Sequence, residues 1–295
     1  MCGGEYLILQ SAAVSVRILT STFCGKEEMK TVRNDKIPFK HYIKEAIHYI
    51  ARLNRPYKKA IYFDKSNTLL IAHRGLSGLR KENTIPAYTL AGERGYFGIE
   101  TDVHRTADGK FVTIHDDTTG RVAEANFPVE QTKFEKLRSL KLKDTNGKIN
   151  GDLYIPTMEE YIDICKKYNS AAVLELKNHF EKEDIIEITK IIDGMGYLER
   201  TIFISFDLPN LITLRELYPD QPAQYLTCVF EGGLIEKLKK YNLDLDIYFR
   251  ELTKERVKLL HDNGIKINCW TVNSYKAATA LAKWGVDYIT TNILE

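Results

Sequence analysis

From residue 69 onward, short β-rich runs alternate with helical stretches, and that alternation leaves the chain few folds to adopt. The runs are Leu69–Ala72, Gly98–Val103, Phe111–His115, Ala171–Leu176, Thr201–Phe206, Gln224–Val229, Leu245–Phe249, Ile265–Val272 and Asp287–Thr290. Between most of them lie amphipathic stretches of helical length, such as Thr157–Lys167 and Lys182–Met195. Strands separated by helices pair in parallel, and the repeat count predicts an α/β fold, a (β/α)8 TIM barrel. Nine runs compete for eight places, so one of Gln224–Val229 and Leu245–Phe249 is expected to be an extra strand or loop.

Composition narrows the class of molecule further. Of the 295 residues, 44% are hydrophobic and 28% charged, which suits a folded domain and excludes disorder, collagen and a long coiled coil. The formal net charge of +2 provides no field for nucleic acid, and no such partner is expected. The cysteines (Cys2, Cys24, Cys165, Cys228, Cys269) form no C-x-x-C, so neither a zinc site nor a disulfide framework is predicted. Reduced thiols fit a cytoplasmic protein. The apolar stretch Tyr6–Leu19 is interrupted by Gln10, Ser11, Ser15 and Arg17 and has no basic start, which makes it a poor secretion signal.

Residues 1–68 read as an N-terminal extension. Phe39, Tyr42, Ile43, Ala46, Ile47, Ile50 and Leu53 recur at three- and four-residue steps, the period of one helical face, and Pro56 stops the helix. Residues 26–60 hold ten Lys/Arg against four Asp/Glu. Such a helix either packs its stripe on the neighbouring domain, the preferred expectation, or makes peripheral contact with an anionic membrane. Residues 117–156 lack a helical period and hold several turn signals, too many residues for a plain connection. They are predicted to form a small insertion after the third strand, over the barrel mouth.

Side chains alternate across a strand, so Glu100 and Asp102 share one face while Ile99, Thr101 and Val103 share the other. With the apolar set against the helices, both carboxylates point into the barrel, where they repel unless a positive charge sits between them. The same alternation turns Glu175 and Lys177 inward. A hard divalent cation with oxygen ligands, Mg²⁺ or Ca²⁺, is the economical answer to three such acids. His73 and His115 close the first and third runs, at the strand ends where barrel enzymes keep their chemistry. Two imidazoles around these acids, with Arg74 and Lys177 close by, suggest acid–base catalysis at an anion site, that is, phosphoryl chemistry.

The short link between Val103 and Phe111 carries Asp108-Gly109, a hairpin signal. An antiparallel return, however, is expected to carry His115 to the far end of the strand bearing Asp102. Seven residues (104–110) reach at most about 25 Å, enough to come back alongside and run parallel. A parallel connection without a helix is therefore predicted.

Taken together, H-R-G (73–75), E-N-T (82–84), I-E-x-D-V-x-x-T-x-D-G (99–109), H-D (115–116), L-E-L-K (174–177), W-T-V-N (270–273) and D-Y-I-T-T-N (287–292) resemble the glycerophosphodiester phosphodiesterase family. The resemblance spans about residues 69–295, and the motifs come in order. One departure is Lys81, where the family usually has proline before E-N-T. The resemblance implies hydrolysis of glycerophosphodiesters to sn-glycerol 3-phosphate and an alcohol, with a cyclic phosphate formed by the glycerol 2-hydroxyl and opened by water. It implies that Glu100, Asp102 and Glu175 hold the metal and that His73 and His115 are general acid and base, in an order left open. Arg74 and Lys177 would hold phosphate oxygens, Glu82 and Asn83 would orient these groups, and Trp270 would pack either on the glycerol carbons or in the core. The competing expectations are a related phospholipase acting on lysophospholipids or lipids, and a non-catalytic phosphodiester-binding barrel. A glycoside hydrolase fits less well, since its acid pair needs neither two histidines nor two cations.

Overall fold

The computed structural model describes residues 59–295, so the amphipathic helix expected over residues 39–53 lies outside the described residues. Eight strands close a barrel in the spatial order β1 (Leu69–Ala72), β2 (Gly98–Arg105), β6 (Ala171–Leu176), β7 (Thr201–Ser205), β8 (Ala223–Thr227), β9 (Asp244–Tyr248), β10 (Ile267–Trp270) and β11 (Tyr288–Thr291). Every neighbouring pair is parallel, and Leu69↔Tyr288 through Ala72↔Thr291 join the last strand to the first. Helices on the outside complete the α/β pattern: α1 (Ile85–Glu93), α3 (Met158–Tyr168), α4 (Lys182–Gly194), α5 (Leu208–Leu217), α6 (Leu234–Lys240), α7 (Lys254–Asp262) and α8 (Tyr275–Trp284), while α2 (Phe134–Ser139) belongs to the segment between β2 and α3. Among the described residues no helix is long and apolar enough to cross a membrane.

Local chemistry sets these boundaries. Thr157 and Glu160 form a capping box at the start of α3, the threonine hydroxyl accepting from Glu160 N and the glutamate from Thr157 N. Asn169, with φ 54°, ends the same helix in the left-handed conformation. The strand alternation then sorts the core. Ile99 and Val103 of β2 join the large cluster between sheet and helices, whereas Ile71, Ala171, Val173, Ile202, Ile204 and Leu226 fill the barrel interior.

Two sequence expectations fail here. Both 223–227 and 244–248 are barrel strands, and the surplus run is Phe111–Thr113, which forms β3. The link from β2 to β3 is a hairpin, antiparallel through Val103↔Thr113, His104↔Val112 and Arg105↔Phe111. The parallel connection assumed that β2 ends where its barrel pairing ends. In fact β2 runs past its last partner on β6 (Val103↔Leu176) to Arg105, and the Asp108-Gly109 turn stands above the barrel. The return is therefore short, and Ile114 N reaches Asp102 O at 3.0 Å, which brings His115 level with the acids rather than to their far end.

Between β3 and α3 the chain forms α2 and a small antiparallel pair, β4 (Leu142–Lys143) with β5 (Ile149–Asn150). It has a hydrophobic cluster of its own, including Val122, Val129, Leu137, Leu142 and Ile155, packed with Val112 and Ile114 of the hairpin. This satellite core explains why no long amphipathic period is visible there: its apolar residues are spread over turns and two-residue strands.

Candidate active site

The loop after β1 sets the first part of the site. Arg74 and Asn83 both adopt left-handed backbone, φ 55° and 50°. Arg74 N thereby donates to Glu100 Oε2 at 2.7 Å, and Asn83 N to Arg74 O at 3.0 Å. Gly75, φ 73°, passes so close to α1 that an added Cβ would lie 2.6 Å from the carbonyl carbon of Ala87. Gly75→Ala is therefore expected to lower stability by about 1–3 kcal/mol, through backbone strain and overlap with backbone atoms that cannot give way. Thermal denaturation checks this; an unchanged Tm would mean the loop has another conformation open to it.

The acids converge as the alternation predicts. Glu100, Asp102 and Glu175 are 3%, 1% and 6% exposed, and one oxygen of each lies within 4.8 Å of the others. Asp102 and Glu175 face each other directly across the β2–β6 ladder. Lys177 Nζ lies 2.9 Å from Glu175 Oε1 and 3.5 Å from Asp102 Oδ1, and Arg74 Nε lies 3.4 Å from Asp102 Oδ2. Asn83 Nδ2 donates to Asp102 Oδ2 at 2.7 Å. Its amide is oriented from behind, because Oδ1 accepts from Thr101 Oγ1 at 3.0 Å and the Tyr88 hydroxyl lies 2.6 Å from that same oxygen of Thr101.

Two cations do not balance three buried carboxylates, and the proton affinities reflect it. Burial, then Asp102 and Glu175, push the Glu100 carboxyl well above its ordinary range. Burial also raises Glu175, to about 7, against the opposing pull of Lys177. For Asp102 burial is outweighed by His115, Arg74, Lys177 and the Asn83 hydrogen bond, which hold it below the usual carboxylate range. Asp102 Oδ1 is buried and accepts no hydrogen bond among the described residues. An acidic, oxygen-only cluster, with one buried oxygen that has an ion-pair neighbour but accepts no hydrogen bond, is a fitting donor set for one hard divalent cation, and does not discriminate Mg²⁺ from Ca²⁺.

Both histidines have their hydrogen-bearing nitrogen fixed by an acceptor. His73 Nδ1 lies 2.7 Å from Asn292 Oδ1, and His115 Nδ1 lies 2.7 Å from Asp116 Oδ1. An amide oxygen and a carboxylate oxygen accept and do not donate, so in each ring these contacts place the proton on Nδ1; Asn292 Oδ1 also accepts from Ser77 Oγ at 2.9 Å. Burial, reinforced by Arg74, lowers His73 to about 3 and His115 to about 4, leaving both imidazoles neutral at neutral pH.

Eight of the ten residues singled out from the sequence are linked by hydrogen bonds and ion pairs, His115 through Asp116 and Arg121: Arg74, Glu82, Asn83, Glu100, Asp102, His115, Glu175 and Lys177; His73 stands beside them, within electrostatic reach of Arg74, Asp102 and His115. Glu82 enters through Arg74 Nη1 at 3.0 Å. Trp270 belongs to a separate aromatic group at the end of β10, edge-on to Phe206 (5.8 Å between centroids) and 5.7 Å from the Tyr248 ring, and its buried Nε1 has no hydrogen-bond partner among the described residues. Sequence reasoning missed the partners that orient the imidazoles. Asp116 lay within a quoted motif, and Asn292 closed the last one, but nothing local marked either as facing a histidine. Arg121, in the insertion, carried no signal at all; it bonds both Asp116 and Glu82.

The chain resembles known proteins in sequence and in fold. Residues 73–295 match the model of the glycerophosphoryl diester phosphodiesterase family. A glycerophosphodiester phosphodiesterase of Caldanaerobacter subterraneus subsp. tengcongensis is 31% identical over 231 residues, covering 76% of this chain and 94% of the relative. Among solved structures, a phosphodiesterase of Oleispira antarctica in complex with its product sn-glycerol-3-phosphate superposes with a TM-score of 0.71 at 25% identity, over 79% of this chain and 96% of the other. A glycerophosphodiester phosphodiesterase of Parabacteroides distasonis gives 0.64 at 28%, over 77% and 93%. The chain belongs to the glycerophosphoryl diester phosphodiesterase family.

Proposed function

We propose that this protein hydrolyses glycerophosphodiesters to sn-glycerol 3-phosphate and an alcohol, using one divalent cation, Mg²⁺ or Ca²⁺, and two histidines as acid and base. One observation carries the proposal: a buried acidic triad, two cationic side chains and two oriented imidazoles share one barrel mouth. Glu100, Asp102 and Glu175 hold the cation. When bound, it supplies positive charge against the nonbridging oxygens and the charge that develops in the transition state. Arg74 and Lys177 hold phosphate oxygens, with Glu82 and Asn83 fixing Arg74 and Asp102. Trp270 offers its face to the glycerol carbons.

A phosphodiester repels nucleophiles through its own charge, so neutralisation and proton transfer are what the chain must provide. One imidazole accepts the proton of the attacking hydroxyl at Nε2. The other, whose proton affinity rises as the anionic phosphate offsets the repulsion from Arg74, protonates the departing alkoxide. The test is product analysis on a panel of glycerophosphodiesters beside lysophosphatidylcholine, with and without chelator. Chelator-sensitive release of glycerol 3-phosphate is expected. Cleavage of lysophosphatidylcholine alone would favour the phospholipase, and no turnover would favour a binding barrel.

The raised carboxyls make cation binding depend on pH. The ionised carboxylate is the ligand, and below pH 7 Glu175 takes up a proton in the folded protein, while burial and the neighbouring acids raise the Glu100 carboxyl well above its ordinary range as well. Mg²⁺ must then displace protons, so its affinity is expected to fall about tenfold or more per pH unit below about 7. Calorimetry in buffers of different ionisation enthalpy reads both the affinity and the released protons; a constant affinity from about pH 7.5 to about 5.5 would contradict the assignment.

A further inference from the structure

Arg121 lies in the insertion, yet its guanidinium occupies a junction of the site. Nε donates to Asp116 Oδ2 at 2.6 Å and Nη2 to Asp116 Oδ1 at 3.0 Å. Nη2 also donates to Glu82 Oε1 at 2.7 Å, and Nη1 to Glu82 Oε2 at 2.8 Å. Asp116 Oδ1 is the oxygen that holds His115 Nδ1, and Glu82 Oε1 is the oxygen that holds Arg74 Nη1. A single exposed ion pair contributes little. Here one forked cation fixes two carboxylates whose side chains are only 15% and 23% exposed, although its own side chain is 40% exposed. The neighbouring backbone is steadied by Lys143 Nζ, which donates to Gly120 O at 2.8 Å, and by the packing of Val122 in the satellite core. A second tie, Glu130 to His104 at 3.0 Å and to Asn178 at 2.8 Å, fixes the other side of the insertion to β2 and to the residue after Lys177.

We infer that Arg121 is a positioning residue: by bridging Asp116 and Glu82 it couples the insertion to the site and sets the orientation and tautomer of His115. Without it, two carboxylates of like charge face each other. Asp116 can then turn from Nδ1, and the ring can place its proton on either nitrogen. The inference rests on the proposal that His115 acts in phosphodiester turnover, but its signature can be read without turnover.

The test uses the full-length chain with Mg²⁺, comparing wild type, Arg121→Met and Arg121→Lys. Arg121→Met is expected to lower kcat about tenfold or more with KM changed by less than about threefold, and lysine to restore part of the loss. Imidazole ¹⁵N–¹H spectra, with His115 identified through His115→Gln, should show the Nδ1–H tautomer in wild type and a mixture in Arg121→Met. An unchanged His115 signal overturns the inference, as does a rise in KM with kcat intact, which would make Arg121 a substrate-binding group. If the methionine variant fails to fold, Arg121→Lys decides, since lysine holds one carboxylate at a time; a wild-type kcat and spectrum there overturn the inference. If wild type cleaves no glycerophosphodiester, the proposed reaction fails while the spectra still decide the role of Arg121.

Discussion

Glu100→Gln is expected to remove nearly all turnover while making the metal-free protein more stable. Both effects come from the same charge. Glutamine retains the oxygen that accepts from Arg74 N, so the loop after β1 keeps its anchor. It lacks the anionic oxygen that a hard cation prefers, and loss of one of three carboxylate ligands should reduce kcat/KM about a thousandfold or more. The stability gain follows from linkage. The folded-state proton affinity of Glu100 is raised by burial and by its neighbours, so the unfolded chain ionises more readily and neutral pH disfavours folding. Removing the acid removes that penalty near neutral pH, and the gain should vanish as pH falls toward about 4.5, where the unfolded carboxyl is also protonated. Thermal melts in EDTA across this range check the sign. A stability loss at neutral pH would mean that Glu100 is already paired in the metal-free protein.

The second large effect concerns the imidazoles. His73→Ala and His115→Ala should each lower kcat by about a hundred- to ten-thousandfold, the usual worth of a positioned proton donor or acceptor. A glycerophosphodiester with a nitrophenol leaving group distinguishes their roles, because nitrophenolate departs without protonation. The variant lacking the acid should regain about tenfold or more on that substrate, and the variant lacking the base should not. Equal recovery in both would show that the two rings do not divide acid and base between them. Asp116 and the amide of Asn292 occupy Nδ1 of the two rings, which leaves Nε2 for the proposed proton transfers. Asp116→Asn should therefore fall between wild type and His115→Ala.

What could be seen in the sequence depended on range. The inward set Glu100, Asp102, Glu175 and Lys177 follows from a two-residue period, which each strand states by itself. The direction of β3 does not, because it depends on how far β2 projects beyond β6, a tertiary fact that no residue between 104 and 110 encodes. The hairpin signal of Asp108-Gly109 was the better guide, and chain reach was the weaker one. Motif spacing located His73 and His115, but their partners Asn292 and Asp116 differ in distance along the chain, one being 219 residues away and the other adjacent. Only the closure of β11 onto β1 brings Asn292 to His73. Arg121 was invisible for a similar reason: the insertion core that holds it is assembled from residues scattered over turns.

The central claim is that three acids hold one ion between two imidazoles. Its most direct measurement is anomalous diffraction from crystals soaked in Mn²⁺, an oxygen-preferring stand-in for the native ion. A single peak ligated by Glu100, Asp102 and Glu175, with His73 and His115 on either side of the adjoining phosphate position, is predicted. An active, Mn²⁺-saturated protein with no peak at those carboxylates would contradict it.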